Sequence, residues 1–455
     1  NTTSTSQRQL ECESTMSKVS TLFSRIVGPA AVMAAGTMGA GAVATFILAG
    51  AWFRYDLLWV IVAILPLFVI FVDSASRIGL LNSNNGMLSL IRSQIHPSVA
   101  WFILLINVPV HLLVSMGQMS VMTSAIMSVF TFYPPESGAA TDYVQSYRVA
   151  ETVLSLLVAS GIYWLLSSNG YERMQKAMTS LMVVMFVCFL VVALRGFQEL
   201  PAILAGFVPK IPDNLAVPGS DSMRLSGQSI MAIIGTALAP AALLGIPYMS
   251  ADNNKGTPDL KREFRKAVVN LGLIFGCYSI FVVVAGGFAL YHLADHAQID
   301  TVHEAGRVLV KAFPAGLGFL GPLIFSIGIS LAALTTFVVV VQVISYWLLD
   351  MFGFDWHDRA DNVAFKHMLK FWIFVPAILA PFWSFPALLK VLLLMGVNAL
   401  LIPMVMIIVI ILVNRQQVMG HYRANIGRNA VLGIGAIISI WLSIVKLPGY
   451  IAIIF

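Results

Sequence analysis

The sequence predicts an all-α protein embedded in a membrane, with about eleven transmembrane helices arranged as a five-plus-five inverted repeat and one extra helix. Three observations predict it. The 455 residues are 58% hydrophobic and only 11% charged, with mean hydropathy +0.86, whereas soluble domains average about 25% charged residues. Apolar runs long enough to cross a bilayer recur from end to end. Two of those runs are interrupted by small residues and proline at matching places in the two halves.

The spans lie near 26–51, 57–80, 99–130, 149–168, 174–195, 226–250, 265–291, 316–348, 367–384, 386–413 and 429–447. The third and eighth are long enough to tilt or to extend past the lipid. Five spans precede the Pro- and Gly-rich loop Phe197 to Gln228, five follow it and one is left over. The single transmembrane domain, 25–455, therefore divides into repeats 25–195 and 226–413 and an extra helix at 429–447. Residues 1–24 read as a polar tail, and 1–15 precede Met16, where the natural chain can start. The first span can itself direct insertion. A short amphipathic run, Val302 to Phe313, suits a surface helix between spans seven and eight.

The first interruption is Gly36-Thr37-Met38-Gly39-Ala40-Gly41-Ala42, and the second is Gly235-Thr236-Ala237-Leu238-Ala239-Pro240-Ala241. Glycine frees the backbone and permits close approach. Within a bilayer, unwound backbone survives only where protein buries it or where it lines a cavity. Two interrupted spans in corresponding positions point to a transporter's substrate site. The candidate site is thus Thr37, Met38, Gly39, Ala40, Gly41 and Ala42 facing Leu238, Ala239, Pro240 and Ala241. The same residues also suit a second reading, in which they are surfaces for close helix packing.

Loop charges set an orientation. With the N-terminus inside, eighteen of the 27 Lys and Arg fall on the inner side, densest from Lys255 to Lys266, and nine fall outside. This bias places the N-terminus in the cytoplasm and the C-terminus outside the plasma (inner) membrane. The net charge of +6 comes from these short loops and not from a nucleic-acid surface. The cysteines Cys12, Cys188 and Cys277 have no metal-type spacing. No nucleophile triad, phosphate loop or cofactor motif is present, which speaks against an enzyme.

Several elements resemble the Nramp divalent-metal transporters. Gly28-Pro29 opens the first span as in that family. Ala49-Gly50-Ala51-Trp52-Phe53-Arg54-Tyr55-Asp56-Leu57-Leu58-Trp59 resembles the family's AGxxFGYxLLW element, and Ser76-Arg77-Ile78-Gly79 the end of its second span. Gly170-Tyr171-Glu172, Leu204 to Pro209, Ile402-Pro403 and Asn414-Arg415 with Met419-Gly420 fit its later parts. The resemblance covers nearly the whole chain from Arg25. It implies a LeuT-like fold with broken first and sixth spans, alternating access around a midplane site, and symport driven by a proton or sodium gradient.

The departures fall at the family's working positions. Where the family has Asp-Pro-Gly-Asn, this chain has Gly39-Ala40-Gly41-Ala42, and where it has Met-Pro-His, Ala239-Pro240-Ala241. The third-span acids correspond to His111 and Val114, and a tenth-span glutamine to Met395. A dication leaving water needs anionic or strongly coordinating ligands, and Gly39, Ala42, Ala239 and Ala241 supply none. Small side chains would enlarge the cavity, and a restarted helix offers free N–H groups to an anion. The expected substrate is therefore a small anionic, zwitterionic or neutral solute. One alternative is a divalent cation of the Mg or Mn type in an atypical site; another is a non-transporting sensor or scaffold. His111, mid-span, is the proton-coupling candidate because imidazole titrates near neutral pH, and it would make uptake rise as external pH falls. Asp73 pairs with Arg77 at i+4, while Asn107, Gln118 and Asn398 read as helix-to-helix hydrogen-bonding residues. The expected partners are the lipid bilayer, the solute or ion, and a coupling proton or sodium.

Overall fold

A computed structural model describes residues 37–135, 140–167, 171–217, 223–252, 260–294, 301–359, 361–383 and 385–454. The tail 1–24 and the first part of the first span lie outside these residues. The first half contains α1 (Ala40–Phe53), α2 (Leu58–Leu81), a short α3 (Met87–Gln94), α4 (Pro97–Val129), α5 (Thr141–Ser167) and α6 (Tyr171–Arg195). The second half contains α7 (Ser226–Ala237) and α8 (Pro240–Asp252). Next comes α9, built of Leu260–Ala267, a π-helical stretch Val268–Phe275 and Gly276–Ala294. Then follow α10 (Val302–Gly306), α11 (Leu320–Met351), α12 (Val363–Leu379), α13 (Ala387–Asn414) and α14 (Ile426–Ile454). Among the described residues nine helices are long and apolar enough to cross a bilayer. The broken first and sixth spans complete the predicted eleven.

Local chemistry explains the helix starts. His96 accepts from the Ser98 N–H at 3.2 Å and Pro97 takes the first helical position of α4, where its missing N–H costs nothing. Pro240 opens α8 in the same way. Asn362 caps α12 by accepting from the Phe365 N–H at 3.0 Å.

Every residue of α1 is buried, as expected of a helix that is apolar all round. It packs on α9 through glycines. A Cβ on Gly50 would lie 2.3 Å from the Val283 carbonyl oxygen, and one on Gly286 would lie 2.7 Å from that of Ile47, so any side chain there would push the helices apart. In contrast, α5 and α14 leave broad apolar faces outward, Trp164 and Ile437 among them, which suits contact with lipid.

Polar contacts hold the two ends of the bundle. Asp73 accepts from Arg77 at 2.7 Å, as its spacing predicts, and also from Arg428 of α14 at 2.6 Å. At the opposite end Glu199 accepts from Arg54 at 3.0 Å and from the Tyr55 hydroxyl at 2.6 Å. The loop after α6 forms a two-residue hairpin not foreseen in the sequence, β1 (Leu215–Ala216) against β2 (Met223–Arg224). The run from Val302 is α10 followed by a 3₁₀ turn, with Val302, Ala305, Val308 and Leu309 buried. One counted loop charge is misplaced by sequence reasoning. Lys390 is buried inside α13 and does not belong to an outer loop.

Candidate functional site

The two interrupted spans face one another across a small cavity. Thr37 is helical, Met38 and Gly39 are not, and α1 begins at Ala40. In the sixth span α7 ends at Ala237 and α8 begins at Pro240, leaving Leu238 and Ala239 between them. Thr37, Gly39, Gly41 and Ala42 line the cavity from the first break, and Thr236 and Ala239 from the second. From α4 come His111, Val114 and Gln118, from α11 Thr336, Val339 and Val340, and from α13 Met395 and Asn398. Met38, Ala40, Leu238 and Pro240 of the predicted set do not line it, and the Ala241 side chain lies outside the described residues.

The small residues do not enlarge this cavity as expected, because neighbours have moved into the space. A Cβ on Gly39 would lie 1.5 Å from the Thr336 hydroxyl oxygen, and one on Gly235 would lie 1.7 Å from the Met395 carbonyl oxygen. A Cβ on Gly41 would lie 3.0 Å from Met395 Sδ. The thioether of α13 thus sits directly over the first break. The enclosed space is about 40 Å³. A water needs about 10–15 Å³ in this measure, so the cavity has room for no more than an ion with a water or two. Pockets for organic molecules begin near about 300 Å³.

The walls are apolar apart from a few heteroatoms, and these define the chemistry. His111 Nδ1 lies 2.5 Å from the Asn107 carbonyl oxygen. A carbonyl only accepts, so Nδ1 carries the proton and Nε2 keeps a free lone pair. Nε2 is buried and has no protein partner, and the ring is held edge-to-face against Trp347. Both heteroatoms of the Gln118 amide and Oδ1 of Asn398 are also buried without a protein hydrogen bond. Buried polar atoms are otherwise almost always paired. The residues that carry an imidazole, a thioether, two amides and the Thr236 hydroxyl thus line one enclosed space, with no carboxylate among its lining residues.

Sequence reasoning assigned Gln118 and Asn398 to helix contacts and missed their place here. The signal was present in their spacing. His111, Val114 and Gln118 follow i, i+3, i+7 on α4, and Met395 and Asn398 follow i, i+3 on α13, one face of each helix.

Comparison with known proteins bears on this arrangement. Residues 30–447 match the family model "Natural resistance-associated macrophage protein-like". The chain is 24% identical over 430 residues to the divalent metal cation transporter MntH of Burkholderia ambifaria, covering 92% of this chain and 87% of that one. It is 23% identical over 317 residues to MntH of Klebsiella pneumoniae, covering 69% of each. Among solved structures it is similar to the Eremococcus coleocola manganese transporter, with TM-score 0.66 at 16% identity over 93% of this chain and 86% of that one. At that identity the likeness shows the shared LeuT-like fold.

Proposed function

The chain belongs to the Nramp family of multi-pass membrane transporters, and from that premise we propose that it carries a divalent metal cation through an ion-sized site of neutral donors between its two broken spans. Its relatives named as divalent metal cation transporters support the cargo class. The observation that carries the reading is the set of unpartnered buried heteroatoms around one small cavity: His111 Nε2, the Gln118 amide and Asn398 Oδ1, with Met395 Sδ beside them. Polar groups buried without partners are costly, and a bound cation would give these groups their missing interaction.

The donor set replaces the family's motif and does not restore it. Imidazole and thioether suit borderline and soft ions, while Mg²⁺ and Ca²⁺ prefer oxygen cages. The reading therefore favours ions such as Cd²⁺ and Zn²⁺ over Mg²⁺. Part of the charge compensation comes from backbone. The C-terminal end of α7 stops at the cavity, and such ends carry partial negative charge and coordinate cations in broken-helix transporters. The small-solute reading of the sequence fits less well, because about 40 Å³ is too small for an organic molecule. In this reading His111 Nε2 takes either the metal or a proton, and alternation between the two would couple transport to a proton gradient. The N-terminus lies in the cytoplasm and the C-terminus outside the plasma membrane.

Uptake into proteoliposomes tests the proposal. Saturable Cd²⁺ uptake well above that of Mg²⁺ is expected, and Met395→Leu should erode the preference. No saturable uptake of any divalent cation would overturn it.

A further inference from the structure

Next to the central cavity, the space between α4 and α13 widens into a vestibule of about 710 Å³. The two spaces share both helices. On α4 the inner lining ends at Gln118 and the vestibule begins at Ser120; on α13 Met395 lines the first space and Lys390 the second. Between them the helices touch. A Cβ on Gly117 would lie 3.2 Å from Leu394 Cδ1 and 3.3 Å from Val391 Cγ1. Along α13 this contact, at Val391 and Leu394, separates Lys390 on the vestibule side from Met395 on the cavity side.

Lys390 is only 3% exposed. Its ammonium donates to Ser120 Oγ at 2.9 Å and lies 5.3 Å from the centroid of the Trp383 ring. Among the described residues no carboxylate is within ion-pair distance of it. The titratable and charged groups that share its space are Tyr147, Arg148 and Glu151 from α5 and Glu304 from α10; α4 adds Ser120 and Ser124, and the segment before α13 adds the rings of Trp383 and Phe385. With Lys390 protonated, two cations balance two carboxylates. With Lys390 neutral, the lining carries one net negative charge. An ionisable side chain at this depth in a membrane protein marks a functional position, and a buried lysine changes its charge state where an arginine does not.

We propose that Lys390 is a proton-operated electrostatic gate on the path to the central site. The ammonium holds the vestibule neutral and opposes passage of a cation. Loss of the Nζ proton to vestibule water leaves an uncharged amine and a net-negative lining, and a cation then passes. The idea deepens the metal-cation reading and rests on it.

The test is Cd²⁺ uptake into proteoliposomes with pH equal on both sides, from about pH 6 to about pH 8. Wild-type uptake should rise with pH. Lys390→Met should flatten the profile, raising uptake at the acid end by up to about a hundredfold, since the two pH units of the window change a protonation ratio about a hundredfold. Lys390→Arg should stay low throughout. Glu151→Gln, which removes a charge favouring the ammonium and leaves the lining neutral once Lys390 is uncharged, should move half-maximal uptake to lower pH and lower its plateau. A profile set by His111 alone would survive Lys390→Met. If that variant misfolds, the arginine and Glu151 variants decide. Profiles superimposable on wild type overturn the gate and leave the cation reading standing, whereas a wild type that takes up no Cd²⁺ at any pH defeats both.

Discussion

Two buried polar clusters in this protein have opposite hydrogen-bonding states. At one end of the bundle Asp350 of α11 accepts from the Tyr248 hydroxyl at 2.6 Å, the Ser89 hydroxyl at 2.5 Å and the Ser89 N–H at 3.1 Å. Both carboxylate oxygens are used, and α3, α8 and α11 are tied together. The carboxylate also sits at the start of α3, where the helix dipole favours it, and Gly86 leaves room for it, since a Cβ there would lie 2.1 Å from Oδ2. In the central cavity His111 Nε2, the Gln118 amide and Asn398 Oδ1 have no protein partner. A satisfied cluster holds helices together. The unsatisfied one is where the proposed cation would bind. The difference separates structural from functional polarity among residues that look alike in the sequence.

Substitution should reveal the same contrast. Asp350→Ala leaves three buried donors unpaired, each at a cost of about 1–3 kcal/mol; the melting temperature in detergent should fall steeply. Gly235→Ala forces a methyl against the Met395 carbonyl, and overpacking of this kind costs about 1–3 kcal/mol. Cation uptake should fall as well, because α7 and α13 are displaced where both line the cavity. Asn362→Ala removes the α12 cap at a cost of about 1 kcal/mol and should leave uptake unchanged, giving a scale for a purely local loss. Gln118→Leu is the smallest in stability, within about 0.5 kcal/mol or slightly stabilising, since an unpaired buried amide gives way to an apolar group of similar shape. Its uptake should nevertheless drop. If Gln118→Leu destabilised the protein as Asp350→Ala does, the two clusters would not differ in kind.

Much of the architecture is legible in the sequence because membrane spans are written in composition. Length and apolarity locate the spans, and Gly36 to Ala42 and Leu238 to Ala241 locate the breaks, since a bilayer tolerates free backbone only beside a cavity. What the breaks enclose is not legible. Gly39 and Gly41 look like added space, but Thr336 from α11 and Met395 from α13 fill it, and those contacts join residues hundreds of positions apart. Gln118 and Asn398 look like helix glue because pairing depends on what stands opposite. Lys390 looks like a loop charge because it is the fourth residue of α13, and only the fold shows that its side chain is already enclosed.

The central claim is that the unpartnered heteroatoms form a cation site. Thermal unfolding in detergent with and without saturating Cd²⁺ tests it most directly, on the wild type and on a variant combining His111→Phe, Gln118→Leu and Asn398→Leu. A ligand that binds only the folded state raises its stability by about 2.7 kcal/mol at a hundred times its dissociation constant. The wild type should therefore melt several degrees higher with the ion present. The variant, folded and no less stable without the ion, should show no shift. Equal stabilisation of the two proteins, or none of the wild type, would contradict the account.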